Sequence, residues 1–355
     1  MGRAMKTLET LAEVFANDTR FSGTAKQDEP LFAHTTMHVG GKAALFVEPA
    51  DENSLLFALH ELRAADVPFF ILGGGSNVII SDSDFSGAVI STRRLSGVKK
   101  LPQSCITVGA GTPWGSVIAF CREHDLGGLE GFTGLSGTAG GAVYMNATCF
   151  GLTACDRLVS VRYVDALTGD TGEYVLDDEK RKTDWGYKKS PFQDTDEHRL
   201  TRIHTDSGVL GVQPLGERGA KNPQGLERGG DFPHKIILSA QFSVTKGFDA
   251  QKSEHCIAQR KEKGHFLAPS AGSVFKNDAA RGVIAGKVID ECGLKGLQIG
   301  GAQVAPWHGN FMVNVGDATA QDIFDLVQLV KKIVAEKTGV QLECEIIFVG
   351  AFFLD

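Results

Sequence analysis

The sequence predicts a multidomain chain of mixed helices and short strands, on three observations. Its 355 residues are enough for two or three domains at roughly 150 residues each, with room for a site between lobes. Hydrophobic residues make up 42% and charged residues 22%, the proportions of an ordinary globule with a real core. Glycine supplies 43 positions, about 12% against a typical ~7%, which points to many sites of positive φ or of close backbone approach to a ligand.

The same figures exclude several classes. The chain is too long for a disulfide miniprotein, and a net charge of -7 argues against a nucleic-acid partner. The seven cysteines are odd in number and contain no Cys-x-x-Cys pair, so they read as reduced thiols in a cytoplasmic protein. Residues 1–16 carry Glu9 and Glu13 within their apolar pattern, which is not a secretory signal, and Lys6 stands where a myristoylation motif needs Ser or Thr. No run approaches the ~18 apolar residues of a membrane span. No metal is expected, and a monomer is the default.

Leu8, Leu11, Ala12 and Phe15 recur at helical spacing, so a short amphipathic helix over 5–15 opens the chain as a packing element. Residues 54–64 repeat that pattern. The apolar run 67–72 then ends at Gly73-Gly74-Gly75-Ser76-Asn77, a strand entering a glycine loop. Short strands are expected at 78–80, 88–90 and 106–108, and Pro113 suits the first turn of a helix bearing Trp114, Val117, Ile118 and Cys121. Residues 127–151 are richest in glycine, centred on Gly137-Thr138-Ala139-Gly140-Gly141. Residues 159–166 and 172–176 form a hairpin about Leu167-Thr168-Gly169-Asp170.

Residues 193–235 are dense in Gly, Arg, Asp and Glu, and read as a long surface loop or partly disordered insertion. A strand resumes over 236–244, and a last unit begins near Ala250. Within it, 283–292 is helical, and a stripe from Ile323 to Val334 gives a longer helix, started by Thr319-x-x-Asp322, stopped by Gly339 and suited to covering a sheet. The strand 344–349 carries one carboxylate, Glu345, in an otherwise apolar run.

Three glycines followed by Ser and Asn offer consecutive open N–H groups, a hydroxyl and an amide, equipment for holding a pyrophosphate without a cation; a tight turn is the alternative. Neither a Rossmann fingerprint nor a Walker loop is present: Gly109-x-Gly111 is followed by Gly115, one position too late, with Pro113 between. Two glycine loops about sixty residues apart suggest a dinucleotide held between two small lobes.

Six runs then occur in order: Leu72-Gly73-Gly74-Gly75-Ser76-Asn77, Gly137-Thr138-Ala139-Gly140-Gly141-Ala142-Val143-Tyr144-Met145-Asn146-Ala147, Tyr187-Lys188-Lys189-Ser190-Pro191-Phe192, Pro269-Ser270-Ala271-Gly272-Ser273-Val274-Phe275-Lys276-Asn277, Gly300-Gly301-Ala302-Gln303 and Leu342-Glu343-Cys344-Glu345. Together they resemble the UDP-N-acetylenolpyruvoylglucosamine reductase (MurB) family, from about Thr35 onward and excepting the insertion. The resemblance implies an α+β FAD-binding fold of the vanillyl-alcohol-oxidase (PCMH) type. Its expected divisions are a helix and extension at 1–27, flavin subdomains at 28–99 and 100–249, and a substrate domain at 250–355. It also implies that NADPH reduces FAD and that flavin N5 delivers hydride to UDP-N-acetylglucosamine enolpyruvate, giving UDP-N-acetylmuramate.

By the same resemblance Ser273 is the proton donor and Glu345 the carboxylate near the substrate carboxyl, its pKa raised by burial. Without the family, Ser273 is an ordinary loop serine and Glu345 an edge-strand charge, with Glu343 competing for the role. Tyr187 and Lys188 match a Tyr-Arg pair in which Lys replaces Arg, keeping the charge but losing the bidentate fork. Lys189 is an alternative cation. Gly73, Gly74, Gly75, Ser76, Asn77, Gly137, Thr138, Gly140, Gly141, Ala142 and Asn146 fall to the cofactor, and Tyr187, Lys188, Lys276, Asn277 and Gln303 to the substrate; His308 and Asn314 read equally as structural or functional. The four tyrosines are Tyr144, Tyr163, Tyr174 and Tyr187, so the insertion has none and the subtype lacking a tyrosine lid is expected. Asp278 stands where the family usually has Pro. Alternatives are another flavin oxidase or dehydrogenase of this fold, or a non-catalytic binder of flavin or nucleotide sugar.

Overall fold

The computed structural model describes residues 2–193, 202–204, 209–211 and 235–353, and its sheets carry three main hydrophobic cores. The first sheet runs in the order Gly23–Pro30, Lys42–Pro49, Phe85–Ser91, Phe69–Leu72. Its outer pair is antiparallel and the rest parallel, so Leu45, Val47, Ala88 and Ile90 are buried almost completely. Helix Glu52–Ala64 starts where Asp51 accepts from Ser54 N at 2.8 Å, and buries Leu55, Leu59 and Leu62 against this sheet. Helix Gly2–Asn17 adds Leu8, Leu11 and Phe15 to the same core, as its spacing predicted. Residues 23–27 belong to the edge strand, paired residue by residue with Leu45 to Pro49.

The second sheet is wholly antiparallel, ordered Thr171–Val175, Leu158–Asp165, Lys235–Ser243, Cys105–Gly109, Val98–Leu101. The predicted hairpin is its outer pair. Helix Trp114–Glu123 begins after Pro113, which occupies the N-cap and so lies one position before the first turn. Trp114 fills the core between Phe132 and Phe242, with ring centroids 4.6 and 5.6 Å away.

The third sheet, Ser270–Ser273, Phe311–Asn314, Ala302–Val304, Gln298–Ile299, is covered by helix Ala320–Thr338. That helix begins in a reciprocal Thr319/Asp322 capping box and ends at Gly339, φ 75°. Ile323, Leu326, Val327, Val330 and Val334 are fully buried, each stabilising by about 1.5–3 kcal/mol.

Two expectations change. The strand expected at 344–349 begins only at Ile347, because residues 344–346 first cross Val274–Phe275: Cys344 bridges Phe275, and Glu345 N donates to Val274 O at 2.7 Å. Ile347–Val349 then pairs parallel with Val78–Ile80. Within 193–235, Arg202–His204 and Val209–Gly211 form a strand pair, and the second pairs with Ala351–Phe353. An exposed sheet edge with free N–H and C=O groups takes up such a segment whatever its composition, so the insertion is not wholly loop; its remaining residues, 194–201, 205–208 and 212–234, lie outside those described. Among the described residues no helix is long and apolar enough to cross a membrane.

Candidate active site

Leu72 ends a parallel strand, and the chain turns at once into Gly73–Asn77. Thr138 caps the six-residue helix Ala139–Tyr144. These two loops, from different sheets, lie backbone against backbone: a Cβ on Gly74 would sit 2.6 Å from Gly137 Cα. Gly75, φ 66°, approaches His34 O so closely that a Cβ would come within 2.0 Å of it. Among the described residues no protein acceptor takes the N–H groups of Gly73, Gly74, Gly75, Ser76 and Asn77, or those of Gly137 and Thr138. Seven donors without a protein acceptor, on two loops that touch, suit the diphosphate of a dinucleotide.

The other cofactor candidates divide. Gly140 N and Ala139 N are spent on Ala110 O and Thr112 O, at 2.8 and 2.9 Å, which fastens the helix to the second sheet. Gly141 is exposed beside the loop, and Ala142 points into the core. Asn146 is 1% exposed and its amide is committed inward, donating to Gly186 O at 2.7 Å and accepting from Cys155 N at 3.1 Å. It fixes the turn that carries Tyr187 and Lys188.

Lys188 sits in that turn at φ 56°, closed by reciprocal hydrogen bonds of 3.1 Å between Gly186 and Lys189. The turn aims its ammonium at Glu345: Nζ lies 2.6 Å from Oε1, and both side chains are only 11% exposed. Burial pushes the Glu345 carboxyl above the ordinary value, although Lys188 pulls the other way. Lys189 is exposed, which leaves Lys188 as the cation facing the carboxylate. Glu343, the competitor, is also exposed and pairs with Lys276.

Glu345 is tied both to the end of the strand Ser270–Ser273 and to the Gly73–Asn77 loop. Its N–H bonds Val274, the neighbour of Ser273, and its carbonyl accepts from Asn77 Nδ2 at 3.0 Å. Ser273, half-buried, ends the strand facing Phe311, and among the described residues nothing hydrogen-bonds its hydroxyl. Tyr187, 48% exposed, accepts from Asn277 N at 3.4 Å. Asn277 Oδ1 in turn caps helix Ala285–Glu291 through Ala285 N at 3.0 Å. Gln303 lies two strands from Ser270, with its amide on Gln298 at 3.0 Å. Asn314 accepts from Gly316 N and Ala318 N, and His308 packs on Phe311.

Sequence reasoning missed Thr36 and Arg93. Arg93 donates to His34 O and Gly74 O at 3.2 and 3.0 Å, holding the glycine loop from outside. Neither has a local signal, since each acts through backbone carbonyls of a distant segment.

The comparisons agree with this geometry. Residues 262–349 match the family model of the UDP-N-acetylenolpyruvoylglucosamine reductase C-terminal domain, and residues 43–173 match that of an FAD binding domain. The chain is 39% identical to the UDP-N-acetylenolpyruvoylglucosamine reductase of Treponema denticola, over 97% of this chain and 99% of that one. It is 35% identical to that of Treponema pallidum, over 94% and 96%. The crystal structure of the Thermus caldophilus reductase superposes with a TM-score of 0.66 at 26% identity, covering 93% of this chain and 99% of that one. Identity at this level over nearly the full length, on an α+β flavin-binding fold, shows that the chain belongs to the UDP-N-acetylenolpyruvoylglucosamine reductase family, the FAD-dependent oxidoreductases of peptidoglycan precursor synthesis.

Proposed function

We propose that this chain uses NADPH to reduce UDP-N-acetylglucosamine enolpyruvate to UDP-N-acetylmuramate, with residues 28–99 and 100–249 as the flavin lobes and 250–355 as the substrate domain. The observation that carries the reading is the meeting of the Lys188–Glu345 pair, Ser273 and the two glycine loops, drawn from all three sheets. When bound, FAD supplies the hydride that passes from NADPH to the enol ether. The open N–H groups of Gly73–Asn77, Gly137 and Thr138 bind its diphosphate.

Hydride addition beside a carboxylate builds negative charge on an enolate, which needs a cation and then a proton. Lys188 supplies the charge. As the substrate carboxylate draws the ammonium away, Glu345 loses the partner that kept it ionised, takes a proton from solvent and donates a hydrogen bond to the substrate. The Ser273 hydroxyl, with no competing protein partner among the described residues, gives its proton to the carbanionic carbon; an enolate is base enough for so weak an acid when the geometry is fixed. Tyr187, Lys276, Asn277 and Gln303 orient the nucleotide sugar. The unpaired cysteines suit a reducing cytoplasm.

The test is an anaerobic visible spectrum of the purified protein. Flavin bands that bleach with NADPH and return with UDP-N-acetylglucosamine enolpyruvate support the reading. A protein that takes up no FAD, or a reduced one that this substrate leaves bleached, refutes it.

A further inference from the structure

Thr36 lies outside the motif runs, yet it touches both halves of the site. Its N–H donates to Gly75 O at 3.0 Å, and its hydroxyl donates to Ser270 O at 2.6 Å, with Gly75 O a second contact at 3.4 Å. Ser270 opens the strand that ends at Ser273. Between these two residues the ladder with Phe311–Asn314 slips, and Gly272 takes φ 77°. Such an irregularity bends a strand and re-aims the side chains beyond it. The direction of Ser273 therefore depends on how the bulge is held at each end. Pairing with Phe311 holds one end; at the other, Ser270 pairs with Val313, and the Thr36 hydroxyl ties it to the segment bonded to Gly75 of the Gly73–Asn77 loop.

We propose that Thr36 is a positioning residue, whose hydroxyl sets the Ser273 proton donor against the Gly73–Asn77 loop. This rests on the proposed function. The lobes keep other ties without it: Asn314 Nδ2 donates to Met37 O at 3.2 Å, and Asn77 Nδ2 reaches Glu345 O at 3.0 Å. Thr36→Val, which keeps the shape and removes the donor, is thus expected to fold and to hold FAD.

Stopped-flow measurements on FAD-loaded wild type, Thr36→Val and Thr36→Ser test it, following bleaching by NADPH and then anaerobic reoxidation by UDP-N-acetylglucosamine enolpyruvate in H2O and D2O. The expected result is unchanged bleaching in Thr36→Val, reoxidation slowed about tenfold to a hundredfold, and a larger solvent isotope effect as the proton step becomes limiting. Thr36→Ser restores the wild-type rate. Reoxidation of Thr36→Val at the wild-type rate, equal slowing of both half-reactions, loss of FAD, or a Thr36→Ser variant as slow as the valine overturns the inference. A wild-type protein that bleaches but is not reoxidised refutes the proposed function itself, whatever the variants do.

Discussion

Replacing Lys188 with methionine keeps the length of the side chain and removes its charge, stranding Glu345 in a site where only 11% of its side chain meets solvent. Breaking a pair buried to this degree costs about 3–5 kcal/mol while the remaining partner stays charged. Glu345 can escape by binding a proton. Burial already lifts its carboxyl and Lys188 holds it down, so in the variant it rises further. A carboxyl whose folded pKa exceeds its unfolded value of about 4.3 favours the folded state only at low pH; that contribution is lost, at about 1.4 kcal/mol per unit, as pH rises toward the folded pKa. The window of loss is wider in Lys188→Met than in wild type. The stability gap between them is therefore small at about pH 5 and grows toward the full ~3–5 kcal/mol in alkali. Urea unfolding at fixed FAD, followed by the fluorescence of the three tryptophans, reads the gap. Lys188→Arg, which keeps the charge, shows no such pH dependence. A gap that is constant across pH, or below about 1 kcal/mol in alkali, would refute the assignment of the pair as a buried, coupled unit.

Ser273→Ala is expected to slow flavin reoxidation by about 10²–10⁴-fold with bleaching by NADPH unchanged. Its stability stays within about 0.5 kcal/mol of wild type, because among the described residues nothing in the protein bonds the hydroxyl; a matching loss in both half-reactions counts against the role. Gly74→Ala places a Cβ 2.6 Å from Gly137 Cα and must spread the two loops. The strain, about 1–3 kcal/mol, predicts weaker FAD retention on dialysis, and full retention would show the loops do not form the cradle. Asn146→Ala leaves Cys155 N unpaired and takes one of two donors from Gly186 O, which keeps Lys189 N. The expected loss is about 1–3 kcal/mol by urea unfolding, and an unchanged midpoint would contradict the inward assignment.

Much of the fold is legible wherever a local rule decides it. Helix Ala320–Thr338 announces both its ends, Thr319-x-x-Asp322 and Gly339, because caps are short-range chemistry. The strand-to-glycine turn at Leu72 is equally local. What is not legible is direction. Asn146 lies among residues that suit a cofactor, but only the assembled structure shows its amide turned inward between Gly186 and Cys155. Pairing is similarly hidden: nothing near Lys188 points to Glu345, and the start of the last strand is delayed to Ile347 by a crossing with Phe275 that apolar pattern does not encode. The pair at Arg202–His204 and Val209–Gly211 escaped because the polar, glycine-rich sequence around these short runs argues for loop, whereas an available edge decides otherwise.

Asn77 and Glu345 are joined by a hydrogen bond across 268 residues of sequence. On a ribosome adding ~5–20 residues per second, the glycine loop emerges on the order of tens of seconds before the carboxylate that it grips. Throughout that interval the nascent chain has neither Glu345 nor the strand that docks beside Val78–Ile80. Order of synthesis thus sets order of assembly: the Asn77 amide waits for this acceptor until residue 345 has been made, and a chain cut short before it lacks both that tie and the strand that pairs with Val78–Ile80.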